Sequence, residues 1–387
     1  MKKLLIVLSV VLILIFNINI NVVLGVNENY NTDEIINDII SGINEEDFSE
    51  ILSTINNYFG KDLSLKEWLI KFFSGELDID FNSLKTYLLN GVFRVFNSVG
   101  GVLGVLIFLV VFQFVSNIII SKNNDNTEKN IIFYICYSLF IIVITKLATG
   151  VFSYTINIVN NVTKIINVIF PVMFSISGLV GNFGVALCKP ITAFISIFSS
   201  SIITNFFIPI LLLSLTAVLV GNISNNITLN NLNKNILNFF KWCLGILTVI
   251  FTCVVSISGL VNAQYNSASV KVLKYATGSL VPIVGGFLSG GVDVFLSSAL
   301  LLKNSIGVIG VIYLFISIFG SAISILILSF LIKFFLSICE PIADKKFVNI
   351  IMSVTDIFNY LAGIIFICGF MCFLSIICFI TSTISVI

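Results

Sequence analysis

The residues with the clearest chemical potential lie in one apolar stretch of the second half of the chain. Pro282 precedes two glycine pairs, Gly285-Gly286 and Gly290-Gly291, which are followed by Asp293. Proline removes a helix hydrogen bond, and paired glycines permit unusual backbone shapes or a close approach of two helices. A carboxylate deep in an apolar run is costly and is by default a functional candidate. Asp293 could bind a cation, relay a proton or pair with Lys303.

A structural role explains the same pattern. In this interpretation the glycines form a tight helix crossing, and Asp293 is hydrogen-bonded within the protein. Both interpretations remain open at the level of sequence.

An earlier stretch weakly resembles this one, because Pro171 also precedes several glycines and then a lysine, Lys189. The similarity permits an inverted repeat of two three-span units, residues 165–261 and 276–380. Inverted repeats with interrupted helices are common in transporters and channels.

The composition excludes several kinds of chemistry. The chain has no histidine, which removes histidine-based acid–base catalysis and histidine metal ligands. No phosphate-binding loop, dinucleotide fingerprint or nucleophile elbow is present. Cys368 and Cys372 lie four residues apart on one apolar helix face, where we predict plain packing. The sequence therefore predicts no enzyme, no cofactor and no metal site. The bases are dispersed and include one arginine, Arg94, which is not a nucleic-acid-binding pattern.

The elements that must position these residues are membrane helices. Of the 387 residues, 58% are hydrophobic and 10% are charged, and the mean hydropathy is +1.11. A soluble domain carries about 25% charged residues, and a bilayer-spanning helix needs about 20 apolar ones. We predict an all-α, polytopic membrane protein with about eight spans. The predicted spans are 99–120, 131–152, 165–187, 191–220, 242–261, 276–302, 306–332 and 357–380. The third and fourth nearly meet at Lys189-Pro190, so either could be re-entrant, as could the sixth.

The N-terminal quarter differs from the rest. Residues 1–25 have the basic start and apolar core of a signal peptide. Residues 26–97 carry a net charge of −8 and show helical periodicity, which predicts a small acidic helical domain outside the cytoplasm. Ser64 and Glu67 form a capping box at the start of a helix in this domain. Residues 98–387 form the multispan membrane domain.

The distribution of lysines predicts the orientation. With the acidic domain outside, eight lysines fall in cytoplasmic loops: Lys122, Lys129, Lys189, Lys271, Lys274, Lys333, Lys345 and Lys346. Four fall in outer loops: Lys164, Lys234, Lys241 and Lys303. The excess of cytoplasmic lysines agrees with the signal peptide.

The chain resembles the stage III sporulation protein AE family of endospore-forming bacteria. The resemblance rests on Lys241–Gly245, Lys271, Lys274–Ala276, Val281–Gly286, Asp293, Lys303-Asn304, Gly307 and Gly310. Gly290-Gly291 departs from the acidic-small pair expected in relatives, which weakens any essential role for charge there.

The resemblance implies a mother-cell membrane protein that faces the forespore. It also implies a place in a transenvelope channel together with the other stage III A proteins, including an ATPase, and with the stage II Q protein. Two function classes follow. One is a non-enzymatic channel subunit, with self-association left open, and the other is a secondary transporter that uses broken helices around Asp293.

Overall fold

The fold was analysed in a computed structural model, which describes residues 45–59, 62–73, 81–121, 126–179, 183–222, 230–279 and 285–381. Every element in these ranges is helical, as the sequence predicts. The elements are α1 (Glu45–Phe59), α2 (Leu65–Phe73), α3 (Phe81–Ser121), α4 (Asn126–Leu179), α5 (Phe183–Ile202), a π-helical segment (Ile203–Phe207), α6 (Ile208–Gly221), α7 (Asn230–Ser279), α8 (Gly285–Cys339) and α9 (Lys345–Thr381). The predicted signal peptide lies outside the described residues.

Helices α3 to α9 form an elongated antiparallel bundle with two distinct ends. At one end, a turn at residues 340–344 joins α8 to α9, and Phe347 packs against Phe133 near the start of α4. At the other end, Phe379 near the end of α9 packs against Phe170 of α4. We call these the 340–344 end and the Lys303 end. The contact between Phe170 and Phe379 shows that α4 and α9 run in the same direction.

The other helices connect the same two ends. The Ser196 and Ser375 hydroxyls are 2.6 Å apart near the Lys303 end, whereas the Tyr137 hydroxyl donates to the Leu219 carbonyl near the 340–344 end. The α5–α6 segment therefore runs opposite to α4. Helix α9 is the most enclosed of the five long apolar segments, so it forms the centre of the bundle.

Two prolines and a π-helical segment interrupt the helical regularity. Pro171 lies inside α4 and Pro190 inside α5, and neither ends its helix. The π-helical segment directly precedes α6, whose second residue is Pro209. Because proline cannot donate a backbone hydrogen bond, the preceding turn widens, and the Ile208 amide donates to the Ile203 carbonyl.

The N-terminal helices confirm the local prediction. The Ser64 amide donates to the Glu67 carboxylate at 2.8 Å, and the Glu67 amide donates back to the Ser64 hydroxyl at 3.3 Å. These bonds form the predicted capping box at the start of α2. The backbone hydrogen bond from Ser64 is the main cause that lowers the pKa of the Glu67 carboxyl.

A buried tryptophan holds α1 and α2 together. The Trp68 indole N–H donates to the Asn56 side chain at 2.9 Å, and the Asn56 amide donates to the Leu63 carbonyl at 2.7 Å. Both helices also contact α8, so this unit packs on the bundle rather than extending from it.

The structure does not confirm the count of about eight separate spans. The predicted spans 131–152 and 165–187 lie largely on the single helix α4, and 306–332 is an internal part of α8. Within the described residues, five helical segments are long and apolar enough to cross a membrane: Ile131–Ser177, Pro190–Gly221, Asn231–Ser258, Lys303–Cys339 and Lys345–Ile380. The apolar part of α3, Gly100–Ser116, is shorter.

The predicted spans were divided at polar residues, but on α4 and α5 these residues do not form turns. Asn160 and Asn161, which lie between the predicted spans 131–152 and 165–187, continue α4 without a break. A helix hydrogen-bonds its own backbone, so asparagine side chains on its surface do not need a loop. Likewise, Pro190 lies within α5, so no turn forms at Lys189-Pro190.

The count of lysines in outer loops also changes, because helices continue through the positions of those lysines. The four lysines assigned to outer loops, Lys164, Lys234, Lys241 and Lys303, all lie inside long helices. The orientation of the bundle stays a prediction, because these four lysines lie in helices and not in outer loops.

The inverted repeat of residues 165–261 and 276–380 stays a prediction. Residues 165–261 begin inside α4 and extend into α7, and residues 276–380 contain most of α8 and α9.

Candidate functional site

The predicted site residues fall into two groups. Gly285, Gly286, Gly290, Gly291 and Asp293 form the backbone of the first turns of α8, and Pro282 lies outside the described residues. The roles predicted for these residues stay predictions.

Lys303 is the site residue whose surroundings are described. It is 0% exposed and is one of the largest fully buried side chains in the bundle. Its ammonium lies 5.8 Å from the centroid of the Phe379 ring. An aromatic face attracts a cation at this distance, and the attraction grows when the cation is removed from water. The sequence placed Lys303 in an outer loop, whereas the structure places it in the protein interior.

The helix separates Asp293 from Lys303. Both residues belong to α8, and ten helical residues span about 15 Å along the axis. The roles predicted for Asp293, which are cation binding, proton relay, pairing with Lys303 and internal hydrogen bonding, stay predictions.

Polar groups next to Lys303 share its burial. The Asn304 side-chain oxygen is buried and has no hydrogen-bond partner among the described residues, and Ser305 is fully buried. A buried amide oxygen without a donor costs free energy, so this position is suited to a proton donor or a water molecule. Lys303, Asn304 and Ser305 therefore form a polar turn inside an apolar bundle.

A hydroxyl-lined interface between α5 and α9 lies near this turn. The Ser196 and Ser375 oxygens are 2.6 Å apart, so one hydroxyl donates to the other. The hydroxyl that accepts this bond can donate to the carbonyl four residues earlier in its own helix. One turn further along α5, the Ser200 hydroxyl lies 3.6 Å from the Cys368 sulfur. Small hydroxyl side chains let membrane helices approach closely and hydrogen-bond across the interface.

The glycines of this region bring α8 close to its neighbours. A Cβ atom at Gly307 would lie 2.7 Å from Ile380 and 3.1 Å from Met173, and one at Gly310 would meet Ile169. On α9, a Cβ at Gly369 would lie 2.7 Å from Ile318 Cγ1. The tight crossing that the sequence permits at Gly285-Gly286 and Gly290-Gly291 stays a prediction.

A groove opens between α4 and α5 beside the buried lysine. Its volume is about 340 Å³, and its walls include Pro171, Pro190, Phe174 and Phe379. Phe379 thus faces the groove and also lies near the Lys303 ammonium. Asn167 adds a polar group to an otherwise apolar lining.

Comparisons with known proteins identify the family. The sequence profile described as Stage III sporulation protein AE (spore_III_AE) matches residues 63–383. The chain belongs to the stage III sporulation protein AE family. The family profile covers α2 to α9 completely, so it includes the whole bundle and the buried lysine.

A relative with the same description comes from Bacillus subtilis (strain 168). It is 23% identical over 320 residues, which cover 82% of this chain and 80% of the relative. No solved structure matches the chain.

The site combines a buried lysine with a buried amide oxygen. Within the described residues, no three cysteine, aspartate or glutamate side chains come together. The Asn304 oxygen can accept a hydrogen bond from a proton-donating group inside the bundle.

Sequence analysis missed the serine contacts and Gly369. The signal for the serines was present, because Thr192, Ser196 and Ser200 recur every four residues in an apolar segment. No local signal distinguishes Gly369 from Gly363, the other glycine of α9.

Proposed function

We propose that the protein is a non-enzymatic integral membrane subunit of a channel that links mother cell and forespore and is needed for late forespore development. The observation that carries this proposal is the family match over residues 63–383, which spans the complete helical bundle. Five segments of membrane-crossing length support the role of an integral subunit.

The proposed location is the mother-cell membrane around the forespore, with the acidic N-terminal domain outside the cytoplasm. The antiparallel bundle supports one feature of this topology. Helix α3 approaches the 340–344 end, since Leu106 and Val110 line a small cavity with Leu336 and Phe347, and α9 leaves this end. The start of α3 and the end of α9 then lie on the same side of the bundle.

The proposed partners are the other stage III A proteins, including the ATPase, and the stage II Q protein of the forespore. The test is capture of the tagged chain from detergent-solubilised membranes of sporulating cells, with vegetative cells expressing the same tagged chain as the control. Co-purification of stage III A proteins from sporulating cells alone is the expected result. Capture of the tagged chain without these proteins would contradict the proposal.

A secondary transporter is the second candidate. It is favoured by the fully buried Lys303 beside a groove flanked by two proline-containing helices. Purified protein alone in liposomes distinguishes the two classes. Solute uptake driven by an ion gradient would support a transporter, and dependence on partners supports the channel subunit.

A further inference from the structure

A charged surface crosses three helices of the bundle near the 340–344 end. We define the charged strip as Lys241 of α7, Lys333 of α8 and Asp356 with Tyr360 of α9. The Lys333 ammonium lies 2.8 Å from the Asp356 carboxylate, and their side chains are 41% and 54% exposed. The Lys241 ammonium lies 5.3 Å from the Tyr360 ring. Because Asp356 and Tyr360 are one helical turn apart, the two contacts are neighbours.

An exposed apolar surface of α8 lies beside the strip at the same depth. Phe334 directly follows Lys333, and it is exposed together with Phe330 and Ile338. Consecutive helical residues differ by about 1.5 Å in height. The apolar face and the charged strip therefore occupy the same level of the bundle, within segments of membrane-crossing length.

The geometry of the ion pair is not that of a lysine reaching for the membrane surface. Lys333 lies six residues before the end of α8, and Asp356 lies eleven residues after the start of α9. These positions are about 9 Å and about 16 Å from the helix ends. Lys333 thus points to a carboxylate that lies deeper in the bundle, whereas a snorkelling lysine points outward.

Ionisable groups within membrane segments face protein or water rather than lipid. In a single copy of the chain, the described residues leave the Lys333 and Asp356 side chains about half exposed. We propose that the charged strip faces water at membrane depth and is the side of the protein that lines an aqueous path. This inference rests on the proposed channel role, and it identifies which surface of the protein faces water.

The test uses two cysteine probes that leave the strip unchanged. Met352 lies one turn before Asp356 on α9 and is 44% exposed, and Phe334 on the apolar face is 54% exposed. Membranes from cells that express Met352→Cys or Phe334→Cys are treated with a charged, membrane-impermeant methanethiosulfonate reagent added to both sides. Labelling is quantified by mass spectrometry of the peptide that carries the probe, so the native cysteines do not contribute.

The reagent reacts with a thiolate, which forms in water and not in lipid. We expect Met352→Cys to react at least about tenfold faster than Phe334→Cys. Equal fast labelling would place this level outside the membrane and overturn the inference. Absence of labelling at both positions would show that protein covers the strip. A disulfide between two Met352→Cys chains would identify a second copy as that cover and would also overturn the inference.

Spore yield and the amount of protein are measured for both variants, so a folding defect is detected separately. Failure of the inference is distinguishable from failure of the proposed function. If the strip is not labelled but the chain still co-purifies with the stage III A proteins, only the inference is overturned and the proposed function stands.

Discussion

Two lysines on α8 occupy opposite environments. Lys303 is fully buried against an aromatic ring, whereas Lys333 forms a half-exposed ion pair. Both residues belong to one continuous helix in one apolar protein. The sequence gives the positions of these lysines. The neighbouring helices decide whether each lysine is buried in protein or exposed. The comparison therefore predicts that substitutions at buried, closely packed positions cost more stability than substitutions at exposed ones.

The largest effect is expected from reversing the two charges. Lys303→Glu places a carboxylate in an enclosed apolar site next to the Phe379 ring, whose face repels an anion. We expect a loss of about 3 kcal/mol or more and a steep drop in protein amount in the membrane. Lys333→Glu is the matched control, and its half-exposed site should limit the loss to about 1 kcal/mol. Immunoblots of membranes measure both variants, and similar amounts of the two would break the comparison.

The second effect concerns the packing between α8 and α9. An alanine methyl at Gly369 would overlap Ile318, but Gly363 on the same helix has open space around its Cα. We expect Gly369→Ala to cost about 1–3 kcal/mol by overpacking. Gly363→Ala should be neutral or gain up to about 1 kcal/mol, since alanine favours a helix over glycine.

Thermal unfolding of the two glycine variants in detergent measures this difference. A higher midpoint for Gly369→Ala than for Gly363→Ala would show that α8 and α9 do not approach each other at Ile318.

The third effect is the coupling within the exposed ion pair. A double-mutant cycle of Lys333→Ala and Asp356→Ala should give a coupling of about 0.2–1 kcal/mol, which is usual for pairs in contact with water. The four chains are compared by thermal unfolding in detergent. A coupling above about 3 kcal/mol would indicate a pair removed from water, which would make Lys333 resemble Lys303.

The smallest effect is expected at a carboxylate outside the membrane segments. The pKa of Glu67 is lowered because the carboxylate accepts the Ser64 backbone N–H and, to a lesser extent, the Ser64 hydroxyl. A lowered pKa means that this stabilisation is fully present above the unfolded-state value of about 4.3 and disappears as pH falls through the folded-state value.

Glu67→Gln should therefore lower the unfolding midpoint at pH 7 and have less effect at acidic pH. Measuring both proteins across this range tests the prediction. A constant difference between them at all pH values would exclude ionisation of Glu67 as the cause.

The sequence alone determined the class of protein and several local features. Apolar runs longer than a bilayer requires dictate helices, because lipid cannot hydrogen-bond a backbone. The capping box at Ser64 and Glu67 was predictable since its partners lie three residues apart, and the structure confirms both hydrogen bonds. The family resemblance was predictable from short motifs, and the profile match confirms it.

Tertiary structure decided where the helices turn and which charges are buried. Asn160-Asn161 looks like a loop but continues α4, and Lys303 looks like a loop lysine but lies in the interior. The local sequence predicts neither outcome. A polar residue in a helix can be satisfied by solvent, by an aromatic ring or by a neighbouring helix, and the partners of Lys303 and Lys333 come from residues 76 and 23 positions away. Only the packed bundle brings those partners together.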